Sequence, residues 1–344
     1  MRKKGLFSIV LGICLVLLLI VPITTGCADG GEEIYRVGIS QLVTHPALDA
    51  TREGIMAGLL AAGYVATGET CPAGLTKKAI EYDYQNSELD MSLTASIAQK
   101  FVDDKVDVIV TIATPNTQAA ISAVEGTDIP VVFSAITDPV GSGMVVDWDS
   151  HPDENVSGVS DMVSVADDID LILEIVPGVQ TLGTLYNAGE SNSVFLTEKL
   201  REACEAKGIE VVEGTVSTSA EVLTAAQALV GQVDVIWVGT DNTVVTGLEA
   251  LIGVCEANDI PLFPSDDPSI ERGGVACWGF DYYDIGYQTG EMVARILSGD
   301  GTANDVPVEK GETIFLSINT AAAERMGITI PQSVIDDADV IYEE

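Results

Sequence analysis

The stretch from Val106 to Pro139, VDVIVTIATPNTQAAISAVEGTDIPVVFSAITDP, reads as strand, turn, helix, loop and strand. The chain writes it again from Val233 to Pro268 as VDVIWVGTDNTVVTGLEALIGVCEANDIPLFPSDDP. Both copies open on Val-Asp-Val-Ile, place a Thr-rich turn before a helix, and set Ile-Pro before the next apolar strand and Asp-Pro after it. The offset is 233 − 106 = 127 at the opening and 260 − 129 = 131 at the Ile-Pro pairs, so the second helix carries an insertion. Such a period lies far beyond the ~20–50 residues of solenoid repeats and predicts two similar domains. Open sheets take ligands at the carboxyl ends of their strands. Two such sheets face to face bring both Thr-rich turns onto the walls of one cleft, a geometry suited to closing on a small molecule.

Length agrees: 344 residues exceed the roughly 250–300 at which a single core stops growing. Asp and Glu number 53 against 16 Lys and Arg, a formal charge of −37. So acidic a surface repels phosphate backbones and excludes nucleic acid as a partner. The expected fold class is α/β: two similar lobes, each a parallel sheet with helices on both faces, joined by a hinge of several segments.

The amino terminus has the pattern of an export leader: Arg2, Lys3 and Lys4, an apolar run from Gly5 to Ile23, and small residues leading to Cys27. A Cys directly after a small residue resembles the lipobox of bacterial lipoproteins, which implies acylation of Cys27, although Thr24 stands where an aliphatic residue is usual. An ordinary signal peptide and an uncut anchor are the alternatives. Residues 1–26 are thus expected to be a lipoprotein signal peptide and 27–33 a tether, followed by one lobe of 34–138 plus 282–312 and another of 139–281 plus 313–344. Chain crossings are placed near 136–160, 280 and 313–319, with the Gly-, Asp- and Pro-rich segment 141–158 as the first. Cys71, Cys204, Cys255 and Cys277 show no C-x-x-C pair and dictate no disulfide framework.

Chemistry that would indicate an enzyme is absent. Only His45 and His151 exist, there is no G-x-S-x-G or H-E-x-x-H, and no G-x-G-x-x-G or P-loop follows a strand. No catalytic residue, metal site or cofactor is expected. Binding residues are better supported. Thr114 opens a helix after a strand, and free N–H groups at such an end attract a carboxylate. Asp241 stands at the matching turn, and Asp138 and Asp281 are further acceptors for a ligand ammonium. Each of Thr114, Asp241 and Asp281 is equally well placed as an ordinary helix cap, and only their convergence favours a ligand. Tyr186, Asn187, Asn192 and Ser193 form another polar strand end; among the aromatics, Phe133, Trp278, Phe280 and Tyr282 fit the core, with one or two able to stack on a ligand ring.

The blocks VGISQLVTHPALDATREGIMAGL, EYDYQNSELDMSLTASIAQKFV, IATPNTQAA, FSAITDPVGSG, GVSD, LYNAGESNS, GTDNTVVTGLEAL and GFDYYDIGYQTGEM, in this order, resemble the tryptophan/tyrosine-type substrate-binding proteins of bacterial ABC importers. The resemblance spans about residues 34–330. It implies a periplasmic-binding-protein type I fold, an aromatic amino acid as ligand, and contacts from Thr114, Thr137, Asp138, Ser160, Asp161, Tyr186, Asn187, Asn192, Ser193, Asp241, Asn242 and Asp281, with Gln41 and His45 at the cleft rim. The implied partners are a small-molecule ligand, an ABC permease with its ATPase, and the membrane through a lipidated Cys27, with the protein monomeric and extracytoplasmic. The alternative is the same fold holding a sugar or nucleoside, for import or sensing; a transcriptional repressor is rejected because the leader and Cys27 stand where a basic DNA-binding segment is required, and an exported enzyme lacks a nucleophile–base pair.

Overall fold

The computed structural model describes residues 34–148 and 155–344; the leader, Cys27, the tether and His151 lie outside them. In chain order the first elements are β1 (Ile34–Gln41), α1 (Pro46–Ala61), β2 (Tyr64–Ala66), β3 (Lys78–Asn86), α2 (Met91–Asp103), β4 (Val108–Ile112), α3 (Thr114–Val124), β5 (Val131–Ser134) and β6 (Val156–Ser160). Then follow α4 (Val165–Ile175), β7 (Thr181–Tyr186), α5 (Ser191–Lys207), β8 (Glu210–Thr215), α6 (Val222–Leu229), β9 (Val235–Val238), α7 (Asn242–Thr246), α8 (Leu248–Ala257), β10 (Leu262–Pro264), α9 (Asp267–Arg272) and β11 (Ala276–Phe280). The last are α10 (Tyr282–Ser298), β12 (Glu309–Lys310), β13 (Ile314–Asn319), α11 (Thr320–Arg325), α12 (Gln332–Asp337) and β14 (Val340–Tyr342).

One sheet has the order β12-β6-β5-β4-β1-β3-β2, with every pairing parallel. Its central strands β4 and β5 are buried along their whole length, as strands covered by helices on each side must be. Val108, Val110 and Ile112 enter one core with Val37 and Ile39, while Ile109 enters another with Phe101 and Phe133. The second lobe holds the parallel set β10-β9-β7-β8 and the set β11-β13-β14, in which β11 runs antiparallel to β13. Val275 N–H donates to the Leu262 carbonyl at 2.7 Å and brings β11 beside β10. A single core centred on Leu182, Ile236, Trp237, Leu251 and Leu316 fills this lobe.

The repeated Val-Asp-Val-Ile has a structural reason. Asp107 accepts the backbone N–H of Arg36 at 2.7 Å, and Asp234 accepts those of Gln180 and Thr181 at 2.8 Å. In each lobe the motif's carboxylate therefore fixes the start of the neighbouring strand. Its apolar residues supply the central strand itself.

The first crossing differs from the sequence-based expectation. Val156–Ser160 is not a linker: it pairs with β5 in the first sheet, so the chain leaves that lobe only after Ser160. The segment hides its nature because it is built of small residues. A Cβ on Gly158 would lie 2.2 Å from the Phe133 carbonyl oxygen, so only glycine lets β6 approach β5 there. Later the chain returns through Asp281 into α10 and leaves again between β12 and β13. α10 is fixed to α1 through small residues: Cβ atoms on Gly54 and Gly58 would meet the carbonyl oxygens of Tyr283 and Tyr287 at 2.0 and 2.3 Å. Gly286 and Gly290 stand in the same relation to Thr51 and Ile55. Cys204, Cys255 and Cys277 are buried as separate thiols in α5, α8 and β11, and Cys71 is a half-buried thiol.

Candidate functional site

The carboxyl ends of β1, β4 and β5 in one lobe face those of β9 and β10 in the other. Between them lies a small cavity of about 20 Å³, room for roughly one water molecule. Its walls are His45, Ala47, Leu48, Ala113, Thr114, Ala135, Thr137 and Tyr282 from the first lobe and its connections. Asp161, which follows β6, lies on the same side, bonded to Thr137, Tyr282 and the Ile136 carbonyl. Opposite stand Asn192, Thr240, Asp241, Asn242, Val245 and Asp266.

The first-lobe wall is held in an unusual backbone. Ala113 has φ 80° and ψ 153°, and Ala135 has φ 55°. Such angles in residues other than glycine cost on the order of 1–3 kcal/mol and concentrate at binding sites. At Ala113 the conformation turns the chain into α3, whose first turn has no capping side chain and no acid. The positive end of an eleven-residue helix is thus presented uncapped beside the cavity, an arrangement that favours an anion.

The opposite turn is saturated. Asp241 accepts Val244 N–H at 2.7 Å and Asn187 N–H at 2.6 Å. Glu190, itself buried at the start of α5, accepts Asn242 Nδ2 at 2.6 Å, Thr243 Oγ1 at 2.7 Å and the backbone N–H groups of both residues. Two carboxylates therefore occupy the start of α7, and the amide donors there are already used. Burial, and then the charge of Glu190, push the Asp241 pKa up to about 7. Asp161, accepting from Tyr282 Oη at 2.9 Å and Thr137 Oγ1 at 3.4 Å, is pushed up to about 6 by burial. Asp266 is raised by burial as well. A cavity with three buried acids and no lysine or arginine in its wall attracts a cation.

Three polar atoms of the cavity-lining residues have no hydrogen-bond partner among the described residues. Asn192 donates Nδ2 to the Thr240 carbonyl at 2.9 Å, and its Oδ1 has no partner. Asp266 accepts Ser269 N–H through Oδ1 at 3.0 Å, and its Oδ2 has none. His45 Nδ1 is a third. All three residues line the cavity, and burying such groups unpaired costs about 1–3 kcal/mol each.

Two contacts join the lobes at this cavity, Thr137 Oγ1 to Thr240 Oγ1 at 3.1 Å and His45 Nε2 to Asn242 Oδ1 at 3.3 Å, and an exposed one outside it links Gln118 Nε2 to Ser191 Oγ at 3.2 Å. Hydrogen bonds of this kind hold the walls together and make the cavity small.

Of the residues named from sequence, Thr114, Thr137, Asp161, Asn192, Asp241 and Asn242 line the cavity. The others do not. Asp281 is exposed and caps α10 through the N–H groups of Tyr283 and Asp284. Asp138 turns into its own lobe and accepts Gly141 N–H at 2.9 Å. Ser160 donates to the Thr137 carbonyl at 3.2 Å and so supports a wall residue from behind. Asn187 braces the α7 turn, donating Nδ2 to Thr243 Oγ1 at 2.9 Å, while the Tyr186 hydroxyl points to Glu213 at 3.1 Å. Ser193 is buried at the start of α5 outside the cavity wall. His45 lies in the cavity wall rather than at its rim, and Gln41 is tied to Asp49 and Arg52 beside it. Phe133 and Phe280 are core residues, and Trp278 faces a separate surface groove.

Asp266, Thr240 and Glu190 escaped the sequence-based set. The repeat carried the signal for the first. Counting back from the matching Asp-Pro pairs, Asp266 corresponds to Thr137 and Asp267 to Asp138. The cavity takes the first of each pair, and the second turns away: Asp267 accepts from Ser317 and Tyr342 at the base of its own lobe.

The family described as ABC transporter substrate binding protein matches residues 36–341. A tyrosine-binding protein of Clostridioides difficile is 37% identical over 330 residues, covering 92% of this chain and 90% of its own. A solved structure of an ABC domain in complex with L-Trp from Streptococcus pneumonia is 33% identical, covers 90% of this chain and all of that one, and superposes with a TM-score of 0.82. The ligand-free, open structure of a substrate-binding protein with adhesive properties from Clostridium difficile is 35% identical with the same coverage, yet superposes with only 0.64. At nearly equal identity, the lobes here follow the arrangement of the tryptophan complex more closely than the open one. The chain belongs to the ABC transporter substrate-binding protein family, whose members bind solutes outside the cytoplasm and are not enzymes.

Proposed function

We propose that the protein captures a free aromatic amino acid, tyrosine or tryptophan, between its lobes and hands it to an ABC permease for import. The observation that carries this reading is the opposition of the two repeat-derived turns. An uncapped helix end with Thr114 offers donors to a carboxylate, and across the cavity Asp241, Asp266 and Asn192 Oδ1 offer acceptors to an ammonium. Ala47, Leu48, Ala113, Ala135, Val245 and Tyr282 supply apolar surface for a side chain. The tyrosine-binding and tryptophan-bound relatives support the same class.

A cavity of about 20 Å³ admits an amino acid only after the lobes part. The lobes comprise residues 34–160 with 282–312, and 161–281 with 313–344, and rotate about the three short connections between them. The Thr137–Thr240 and His45–Asn242 contacts break on opening. The leader and Cys27 support a receptor held at the membrane by lipid, and we take it to act as a monomer. One acyl chain binds membranes only marginally, so stable anchoring takes more than one.

Titration calorimetry of the purified protein against the twenty amino acids tests the ligand class. Micromolar or tighter binding of tyrosine or tryptophan is expected, and no binding below millimolar for any of them refutes it. Mass spectrometry of protein from membranes tests acylation at Cys27 separately.

A further inference from the structure

We infer that His45 selects the ligand's ring: its Nδ1 accepts a hydrogen bond from a donor carried on the aromatic side chain, so phenol or indole N–H is preferred over a plain phenyl. The inference rests on the aromatic amino-acid reading above and adds the group that tells one ring from another.

Its basis is a chain of hydrogen bonds that fixes the imidazole tautomer. Glu190 Oε2 takes Asn242 Nδ2 at 2.6 Å, which orients that amide with its oxygen toward His45. Asn242 Oδ1 can only accept, so at 3.3 Å from it His45 Nε2 carries the hydrogen. A neutral imidazole has one N–H, which leaves Nδ1 as a bare lone pair. That nitrogen has no partner among the described residues, the residue is 8% exposed, and it lines the cavity beside Ala47 and Leu48. Burial lowers the His45 pKa to about 4, so the ring stays neutral and Nδ1 remains an acceptor throughout the physiological range.

His45 belongs to the first lobe, and Asn242 and Glu190 to the second. The tautomer is therefore set only when the lobes meet, and the acceptor is prepared as the ligand is enclosed. Asp241 and Asp266 stand with Asn192 on the second-lobe wall, the set proposed to face the ammonium. His45 comes from the other lobe, at the end of β1 and the entry to α1.

A site that buries an acceptor rejects ligands unable to satisfy it. Binding of L-tyrosine, L-phenylalanine, O-methyl-L-tyrosine, L-tryptophan and 1-methyl-L-tryptophan to the wild-type protein reads the preference directly. Tyrosine is expected to exceed phenylalanine and its O-methyl ether, or tryptophan its N-methyl form, by about 10- to 100-fold. In His45→Ala the loss of the lobe contact weakens every ligand, but the donor-to-blocked ratio falls to about one, and this ratio isolates the ring contact. Equal binding of donor and blocked ligands by the wild type overturns the inference, as does a ratio that survives His45→Ala. In both cases the aromatic amino-acid reading stands. If the wild type binds none of the five, that reading falls, and the inference with it.

Discussion

The turns after β4 and β9 descend from the same repeated stretch, yet they have opposite chemistry. Both follow a strand opened by Val-Asp-Val-Ile and both lead into a helix beside the cavity. At position 114 the first has threonine, and at the matching position 241 the second has aspartate. The first helix starts without a cap and leaves its amide donors for a ligand, whereas the second is closed by Asp241 and Glu190 together. One scaffold used twice thus gives a donor wall and an acceptor wall. The lesson is that the polarity of such a site is set by which helix end its own protein has already capped.

Making the two turns alike should have the largest effect. Thr114→Asp puts a carboxylate where the ligand's carboxylate is proposed to sit. Like charges at close range cost on the order of several kcal/mol, so calorimetry should show no amino-acid binding. An acid in the first turn suits the helix dipole, so the melting temperature should hold or rise slightly. Next comes the opposite change. Asp241→Asn keeps an acceptor for the Val244 cap, gives up the one for Asn187 N–H and removes the charge facing the ammonium, with an expected loss of about 2–5 kcal/mol in binding. A loss no larger than tenfold would mean that Asp241 serves only its helix.

Protonation sharpens the comparison further. Asp241 is raised to about 7 because burial and the Glu190 charge oppose its ionisation. A ligand ammonium favours the ionised form and expels the proton. Binding should release protons near pH 6, affinity should rise with pH up to about 7 and then level, and calorimetry in buffers of different ionisation enthalpy reads this. For the free protein the sign reverses. Asp161 and Asp241, raised above their ordinary 3.8, hold protons more tightly folded than unfolded, so their contribution to stability falls as pH rises from about 4 to about 7. His45, lowered from 6.5 to about 4, acts oppositely and loses stability as pH falls through that interval. The smallest effect belongs to the contact between the walls. Thr240→Val removes the hydroxyl partner of Thr137, and affinity should fall by about 0.5–1.5 kcal/mol with the dissociation rate rising.

Much of this was legible in the chain. The repeat predicted both lobes and both turns because it records strand, cap and helix in residues whose local roles are strong. What the chain did not reveal has physical causes. Asp138 and Asp281 look like Asp241 in sequence, but a carboxylate beside a helix start is drawn to its nearest amides, and only the backbone direction decides which acids reach the cavity. Asp266 was visible only by aligning the two Asp-Pro pairs, not as a lone acid. β6 was obscured because close approach to Phe133 requires glycine, which also marks linkers. Short elements such as β2, α9, α12 and β14 carry too few residues for periodicity to show.

The most direct test is a crystal structure of the protein with L-tyrosine bound. The two-wall account predicts the amino nitrogen within about 3 Å of Asp241 or Asp266, and a carboxylate oxygen at similar range from the Thr114 amide. A ligand lying the other way round, with its ammonium at the α3 turn and its carboxylate among the acids, would contradict it.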